Sequence, residues 1–276
     1  MSYRHLAVIA ANFAFSFPVK MLGFIRGNLQ SGQNLVHYST LIKPEIEHRR
    51  FQTVLEMPPP IALIGLAIRP EASFVEAYRR AHIPMVLIDE EMDGASTIAT
   101  DNFRGGFIAG EYLAKIGRKN IAVVCGNTHV SGGYNAVNRL NGLKAALAAK
   151  GLTVDEHDIV EVIDYSYHEG VEAMKKWLAE KRKIDAIFSA AGDDCATGLL
   201  RVAQENGIRV PTDIAIIGYD DIDTAKFATP ALTTIRQPLQ EMANAAYNLA
   251  STADNDAAEH PKKISFAPEL IVRAST

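Results

Sequence analysis

The sequence has only two cysteines among its 276 residues, Cys125 and Cys195. No second Cys or His lies at a ligand spacing beside either, so neither a disulfide framework nor a zinc site is predicted. The longest apolar runs, such as residues 61–68, match one strand and fall far short of the roughly 20 residues that a membrane span needs. The N-terminus carries a short apolar run without a cleavage site, which argues against a secretory signal. We therefore expect a reduced, cytoplasmic protein that makes no contact with a membrane.

An excess of positive charge is also missing. Lys and Arg total 28 against 32 Asp and Glu, which gives a formal net charge of −4. A domain that binds nucleic acid by itself is usually basic, so any contact with DNA is expected to come from a segment outside this chain. With 48% hydrophobic and 22% charged residues, the composition is that of a globular protein long enough for about two domains.

The motifs of common enzyme sites are absent or misplaced. No G-x-G-x-x-G follows a predicted strand, and neither G-x-S-x-G nor H-E-x-x-H occurs. Asp193 and Asp194 are adjacent carboxylates, but neighbouring residues on a turn point apart and form a poor acid–base pair. We therefore predict no catalytic residue, no metal and no cofactor, and we expect a protein that is not an enzyme.

Short runs rich in Val and Ile alternate with amphipathic stretches, the pattern of strands alternating with helices in a parallel α/β sheet. The predicted strands fall at residues 6–10, 34–38, 61–67 and 85–88, then at 121–125, 159–163, 186–189 and 214–218. A last helix at 239–250 and a strand at 269–272 follow. The fold class is therefore α/β, with two parallel doubly wound lobes. The chain is expected to pass back between them near its end.

Polar and aromatic side chains follow these strands, where open α/β sheets bind ligands. They are Asn12, Phe13, Phe15 and Phe17, then Asp89, Arg139, Tyr165, Asp193 and Asp220. Carboxylates and a guanidinium can bind adjacent hydroxyls, and aromatic faces stack on a sugar or a purine. Each residue alone has an ordinary alternative: Asp as a turn former or helix N-cap, Phe as core, Arg as a solvated charge. Their coincidence predicts a site for a small polyhydroxylated ligand between the lobes.

Several longer segments resemble the lactose and galactose repressor (LacI/GalR) family of regulators. They are Val210–Ile222 (VPTDIAIIGYDDI), Thr229–Pro238 (TPALTTIRQP), Thr100–Gly106, Asn138–Gly142, His82–Asp89 and Leu270–Thr276. The resemblance runs along essentially the whole chain. It implies an effector-binding core with a periplasmic-binding-protein-like type I fold, whose two lobes are joined by three crossovers. The lobes would comprise residues 1–101 with 236–266, and 102–235 with 267–276.

The resemblance also implies roles for individual residues. Asp89, Arg139 and Asp220 would be the polar anchors of the effector, with Tyr165 and Phe17 as aromatic walls. Gln237 would lie beside a crossover, and this residue comes from the resemblance alone.

Two departures from the family pattern qualify these expectations. The family's N-terminal helix-turn-helix and hinge helix have no counterpart before the first strand, so operator DNA would be reached only through a headpiece missing from this chain. The family often has Asn-Asp where this sequence has Gly192-Asp193, a form that purine-responsive relatives share. A sugar effector is favoured and a purine stays open. The sugar receptor of a transport system is the second alternative, and a homodimer is expected from the family.

Overall fold

The computed structural model describes residues 4–13, 16–127, 133–251 and 260–276. Its first strands and helices are β1 (Arg4–Ala10), α1 (Ser16–Gly27), β2 (Gln33–Ser39), α2 (Pro44–Glu56), β3 (Ala62–Leu66), α3 (Ala72–Arg80), β4 (Met85–Ile88) and β5 (Ser96–Thr100). Next come α4 (Asn102–Lys115), β6 (Ile121–Gly126), α5 (Gly133–Ala148), β7 (Ile159–Val162), α6 (Tyr167–Ala179), β8 (Ala186–Ser189), α7 (Asp193–Glu205), β9 (Ala215–Asp220), α8 (Asp223–Phe227) and β10 (Thr233–Arg236). The last are α9 (Leu239–Ser251), β11 (Lys263–Phe266) and β12 (Glu269–Ile271).

The chain divides into two compact units, and neither is one continuous stretch. Unit 1 comprises Met1–Thr100 and Pro238–Phe266, and unit 2 comprises Asp101–Gln237 and Ala267–Thr276. The chain therefore passes from one unit to the other three times.

Unit 1 contains a six-stranded sheet in the order β11-β5-β4-β3-β1-β2, and all its pairs are parallel. The central strand β3 is buried along its whole length, as its continuous apolar sequence predicts for a strand covered on both faces. Pro44 begins α2, where its missing N–H costs no helical hydrogen bond. The parallel α/β pattern predicted for this part of the chain is confirmed.

Unit 2 contains a second six-stranded sheet in the order β12-β10-β9-β8-β6-β7. Alternate residues of β6 enter two different cores: Val123 packs with the side chains of α4 and α5, and Val124 packs with those of α6 and α7. Ser166 and Glu169 form a reciprocal capping box at the start of α6. The sheet thus has helices on both faces, as in a doubly wound fold.

The structure differs from the sequence expectation near the end of the chain. Strands β10 and β11 were not predicted, and β12 pairs with β10 in the antiparallel sense. β11 adds an edge strand to unit 1 and β12 adds one to unit 2, so the two last strands complete different sheets. Helix α7 begins at Asp193, which places this aspartate on the first helical turn.

Candidate functional site

The carboxyl-end edge of the unit 2 sheet gathers polar side chains from five parts of the chain. Asp220 is the last residue of β9, Tyr165 follows β7 and Gln237 follows β10. Asp193 begins α7, and Arg139 projects from α5. The predicted candidates of this unit therefore occupy the edge at which α/β sheets bind ligands.

Arg139 is buried, with 4% of its surface exposed. Its Nε donates a hydrogen bond to Asn102 Oδ1 at 2.7 Å, and its Nη1 donates to the Ala190 carbonyl oxygen at 2.9 Å. The guanidinium carbon lies 3.7 Å from the centre of the Tyr219 ring, a cation–π contact. The Tyr219 hydroxyl also donates to Asn102 Oδ1, at 3.2 Å. Arg139 is thus held rigidly in one plane, which is what bidentate recognition of a ligand requires.

Asp220 is the last residue of β9 and has a φ of 102°, a backbone conformation that residues other than glycine rarely adopt. Gln237 Nε2 donates a hydrogen bond to its Oδ1 at 2.7 Å. Gln237 is buried, and its Oε1 has no hydrogen-bond partner among the described residues. A buried polar atom without a partner is costly and rare in native structures. The Asp220–Gln237 pair therefore offers an acceptor that a ligand donor could satisfy.

Asp193, which the sequence predicted as a ligand-binding residue, is fully buried. Its Oδ1 accepts a hydrogen bond from Thr234 Oγ1 at 2.6 Å, and its Oδ2 accepts one from the Ile222 backbone N–H at 3.0 Å. Burial, and then the nearby Asp220 carboxylate, raises the pKa of Asp193 well above its usual range. The structure therefore gives this side chain an internal role, fixing the turn after β9.

Asp221 is a second support for that turn and was not among the predicted site residues. Its two carboxylate oxygens accept hydrogen bonds from Arg236 Nε at 2.7 Å and from Arg273 Nη2 at 2.5 Å. Burial alone would raise the pKa of Asp221, but the two arginines outweigh it, and the pKa is lowered. A charged Asp221 thus ties β9 to β10 and to the end of the chain.

Tyr165 lies over Gly126, the last residue of β6. A Cβ at Gly126 would collide with the Tyr165 hydroxyl, so glycine is required for this close approach. The ring is partly buried and packs against both cores of unit 2. Tyr165 therefore holds a fixed position at the same edge as Asp220.

In unit 1, the candidates again follow strand ends. Asp89 comes directly after β4, is 7% exposed and has a φ of 60°. Asn12 and Phe13 follow β1 and are half-buried, and the Phe13 ring packs edge-on against His37 with centroids 4.8 Å apart. Phe17 is a half-buried residue of α1. Phe15 lies outside the described residues.

Unusual backbone geometry concentrates at these strand ends. Nine described residues other than glycine have a positive φ. Seven of them lie at or just after the carboxyl end of a strand, namely Leu41, Ile42, Ala67, Asp89, Tyr165, Asp220 and Asp221. Such conformations cost free energy and persist where the surrounding structure enforces them, often at ligand sites. Three of the predicted site residues are among the seven.

Two residues that support Arg139 were missed by the sequence reasoning. Asn102 and Tyr219 are buried and connected to each other through Asn102 Oδ1. Both lie within segments that carry the family resemblance, Thr100–Gly106 and Val210–Ile222. The resemblance therefore drew attention to both segments, but it did not reveal that the two residues meet at Arg139.

No cluster of three or more His, Cys, Asp or Glu suited to a metal ion occurs in the described part of the chain. No helix in that part of the chain is long and apolar enough to cross a membrane.

Comparison with known proteins gives one family match and many relatives. A family model described as a periplasmic binding protein-like domain matches residues 111–276. The HTH-type transcriptional repressor PurR of Escherichia fergusonii is 36% identical over 209 residues, which are 75% of this chain and 59% of that repressor. The chain thus spans less than two thirds of the length of the curated relatives that it matches.

Solved structures agree with this assignment. The structure of the transcriptional regulator CelR in complex with cellobiose matches with a TM-score of 0.85 and 25% identity, covering 99% of this chain and 84% of that chain. The transcription regulator CcpA of Lactococcus lactis shares the fold, with a TM-score of 0.85, 19% identity and 99% coverage of both chains. The chain therefore belongs to the periplasmic-binding-protein-like domain family, in the form of the effector-binding core of LacI/GalR-type regulators.

Proposed function

We propose that this chain senses a small effector and relays its binding to a DNA-binding headpiece, as part of a cytoplasmic, homodimeric transcriptional regulator that has no enzymatic activity. The observation that carries the proposal is the set of polar residues at the carboxyl ends of both sheets. Asp89, Tyr165 and Asp220 all adopt a positive φ there. We propose that the two edges contribute to one effector site.

A sugar or sugar derivative is the proposed effector. Asp220, Arg139 and Asp89 supply the carboxylates and the guanidinium that bind vicinal hydroxyls, and Tyr165 and Phe17 supply apolar faces. The cellobiose in the CelR structure supports this class of ligand. A purine is the second candidate because of Gly192-Asp193, the form that this sequence has in place of the family's Asn-Asp.

Allosteric relay requires only that effector and operator favour different arrangements of the protein. Such coupling is typically worth about 1–3 kcal/mol. An effector that contacts both sheet edges would favour one arrangement of the protein, because the residues of the two edges would bind it best in that arrangement.

A thermal-shift panel of pentoses, hexoses, disaccharides, polyols, sugar phosphates and purines tests the proposal. A ligand at about 100 times its Kd stabilises the folded state by about 2.7 kcal/mol, a rise of several degrees in Tm. A sugar hit supports the proposed effector class, whereas a purine hit selects the second candidate. A panel without any hit would contradict both.

Variants then connect the hit to the site. Asp220→Asn should abolish the shift, because the amide removes the charge and an acceptor while it keeps the size of the side chain. Asp223→Asn is the matched control, since Asp223 is an exposed residue of α8 with an ion pair to Lys226 at 3.7 Å. Equal binding by both variants would overturn the assignment of Asp220.

A further inference from the structure

A cavity of about 680 Å³ lies at the opposite, amino-terminal edge of the unit 2 sheet. It is formed by the second half of α4, the loop of residues 117–119 that leads into β6, the residues that follow α5, and Leu270 of β12. Its volume is within the range of about 300–1,000 Å³ that is typical of small-molecule sites. None of the proposed effector-binding residues lines it.

The lining of this cavity is rich in positive charge, although the whole chain is acidic. Lys115, Arg118, Lys119 and Lys150 line it, against a single carboxylate, Glu111. No ion pair joins any of the three lysines to a carboxylate of the described residues. Arg118 Nη2 donates a hydrogen bond to the Pro211 carbonyl oxygen at 2.6 Å, and no carboxylate within the described ranges pairs with it.

Helix dipoles offset only part of this charge. The cavity lies at the C-terminal ends of α4 and α5, each equivalent to about half a negative charge. With Glu111 included, about two positive charges remain among the groups that form the cavity. A dianion would balance them.

The basic loop is held in place by the fold. The backbone N–H groups of Lys119 and Asn120 both donate hydrogen bonds to the Asp185 carboxylate, at 3.0–3.1 Å. The charge of Asp185 is therefore directed at the backbone of the loop. The Lys119 side chain is exposed and reaches the cavity from a fixed backbone.

Apolar groups line the rest of the cavity. They are the half-buried side chains of Ile108, Tyr112, Leu152 and Leu270. A site that combines apolar groups with uncompensated cations suits a ligand with an apolar body and an anionic group. A phosphate monoester carries a charge of about −1.5 to −2 at neutral pH, which matches the excess positive charge of the cavity.

A neighbouring cavity differs from the first in how its charges are balanced. It has a volume of about 520 Å³ and shares Lys119 and Leu152 with the first. There Arg182 is paired with Asp158 at 2.6 Å and with Asp155 at 2.9 Å. Its charges are therefore largely balanced within the protein, whereas those of the first cavity are not.

We propose that the cavity lined by Lys115, Arg118, Lys119 and Lys150 is a second ligand site, which binds an organic phosphate monoester. The site lies on the amino-terminal edge of the sheet, so both ligands could be bound at once. A phosphorylated metabolite could thereby modulate the response of the protein to its effector.

Phenyl phosphate is the probe, because it contains neither a sugar nor a purine and so tests this site apart from the proposed effector site. Binding is measured by calorimetry and by NMR of the backbone amides, with inorganic phosphate and phenol as comparisons. We expect phenyl phosphate to bind more tightly than inorganic phosphate, phenol not to bind, and the largest shifts at residues 117–120. Added NaCl should weaken binding, because salt screens exposed charges.

Charge reversal provides the second test. The double variant K119E/K150E should lose at least about tenfold in affinity, since hydrogen bonds to charged groups are the strong ones. K176E is the matched control, an exposed lysine of α6 outside the cavity, and it should bind like the wild type. The neutral variant K119Q/K150Q should also lose affinity, and circular dichroism verifies that all variants are folded.

Three results would overturn the proposal. The first is the absence of phenyl phosphate binding up to the millimolar range, the second is unchanged affinity in both double variants, and the third is NMR shifts confined to the edge that carries Asp220. An unchanged Asp220→Asn variant in this assay, together with a lost effector response, would show that the two sites are separate.

Discussion

Replacing Gly106 with alanine should destabilise the protein, although the same change usually stabilises a helix. Gly106 is a buried residue of α4. A Cβ at this position would overlap the carbonyl oxygen of Arg139 and would lie 2.8 Å from Arg139 Cα. A Cβ at Gly142 on α5 would likewise overlap the carbonyl oxygen of Phe103. The backbones of α4 and α5 are therefore in direct contact, and an added methyl group must push them apart.

The two opposing effects can be compared. Alanine in place of a helical glycine gains about 0.5–1 kcal/mol. Overpacking of a close-packed contact costs about 1–3 kcal/mol, and more where backbone has to move. Because the obstacle at Gly106 is backbone, we expect a net loss of about 2 kcal/mol. For a chain of this length, that is a fall in Tm of about 4–8 °C.

Urea denaturation and a thermal scan measure the change, with Gly23→Ala as the matched control. Gly23 is an exposed residue inside α1, and a Cβ there would meet nothing within 4 Å. The same substitution should therefore raise stability at Gly23 and lower it at Gly106. A Gly106→Ala variant as stable as Gly23→Ala would refute the reasoning. Gly106→Ala should also weaken effector binding, because it displaces the backbone of Arg139.

Three further predictions concern two buried carboxylates and one half-buried carboxylate. Because the pKa of Asp193 is raised in the folded state, its contribution to stability is present below about pH 4, near its unfolded pKa, and is lost as the pH rises through the folded pKa. The amide of Asp193→Asn can accept a hydrogen bond from the Ile222 N–H and donate one to the Thr234 hydroxyl. In urea titrations, the stability of this variant relative to wild type should therefore increase from pH 4 to pH 8. A stability difference that stays constant over this pH range would contradict the prediction. Burial, followed by repulsion from two other glutamates, raises the pKa of Glu47 to about 7, and a ¹³C NMR titration should find its midpoint there; a midpoint near 4.5 would show that the side chain is solvated. Asp221→Ala should cost about 3 kcal/mol in urea denaturation, because it leaves two arginines without their shared partner, and a loss below about 1 kcal/mol would exclude the supporting role.

The alternation of strands and helices was readable from sequence because both faces of the sheets are covered, which makes central strands continuously apolar. β3 is of this kind, as is β8 before its last residue, Ser189, and all residues of both strands are buried. β10 was missed because its sequence, Thr233–Arg236, looks polar. Its threonines are fully buried, and their hydroxyls bond to Asp193 and to Thr276. β11 was missed because an edge strand with alternating exposure leaves little apolar signal.

The rule that α/β sheets bind ligands at the carboxyl ends of their strands identified the candidate side chains, because it needs only the order of strands and helices. The rule could not predict which of these side chains bond to other parts of the protein. Both carboxylate oxygens of Asp193 accept hydrogen bonds within unit 2. Asn102, which accepts a hydrogen bond from Arg139 Nε, is 37 positions away from it in sequence. Such pairs depend on the register between α4 and α5, which is fixed by backbone contact at Gly106 and Gly142. Local patterns contain no information on that register.

The threefold passage of the chain between the units has a consequence for synthesis. Unit 1 receives its edge strand β11 only from residues 263–266, and unit 2 receives β12 only from residues 269–271. Neither sheet can therefore be completed on the ribosome until residues 263–271 have emerged. Until then, β5 and β10 each present an unpaired edge, and such edges invite pairing with other chains. One short segment, residues 263–271, thus supplies an edge strand to each sheet, and damage to it would leave an unpaired edge in both units.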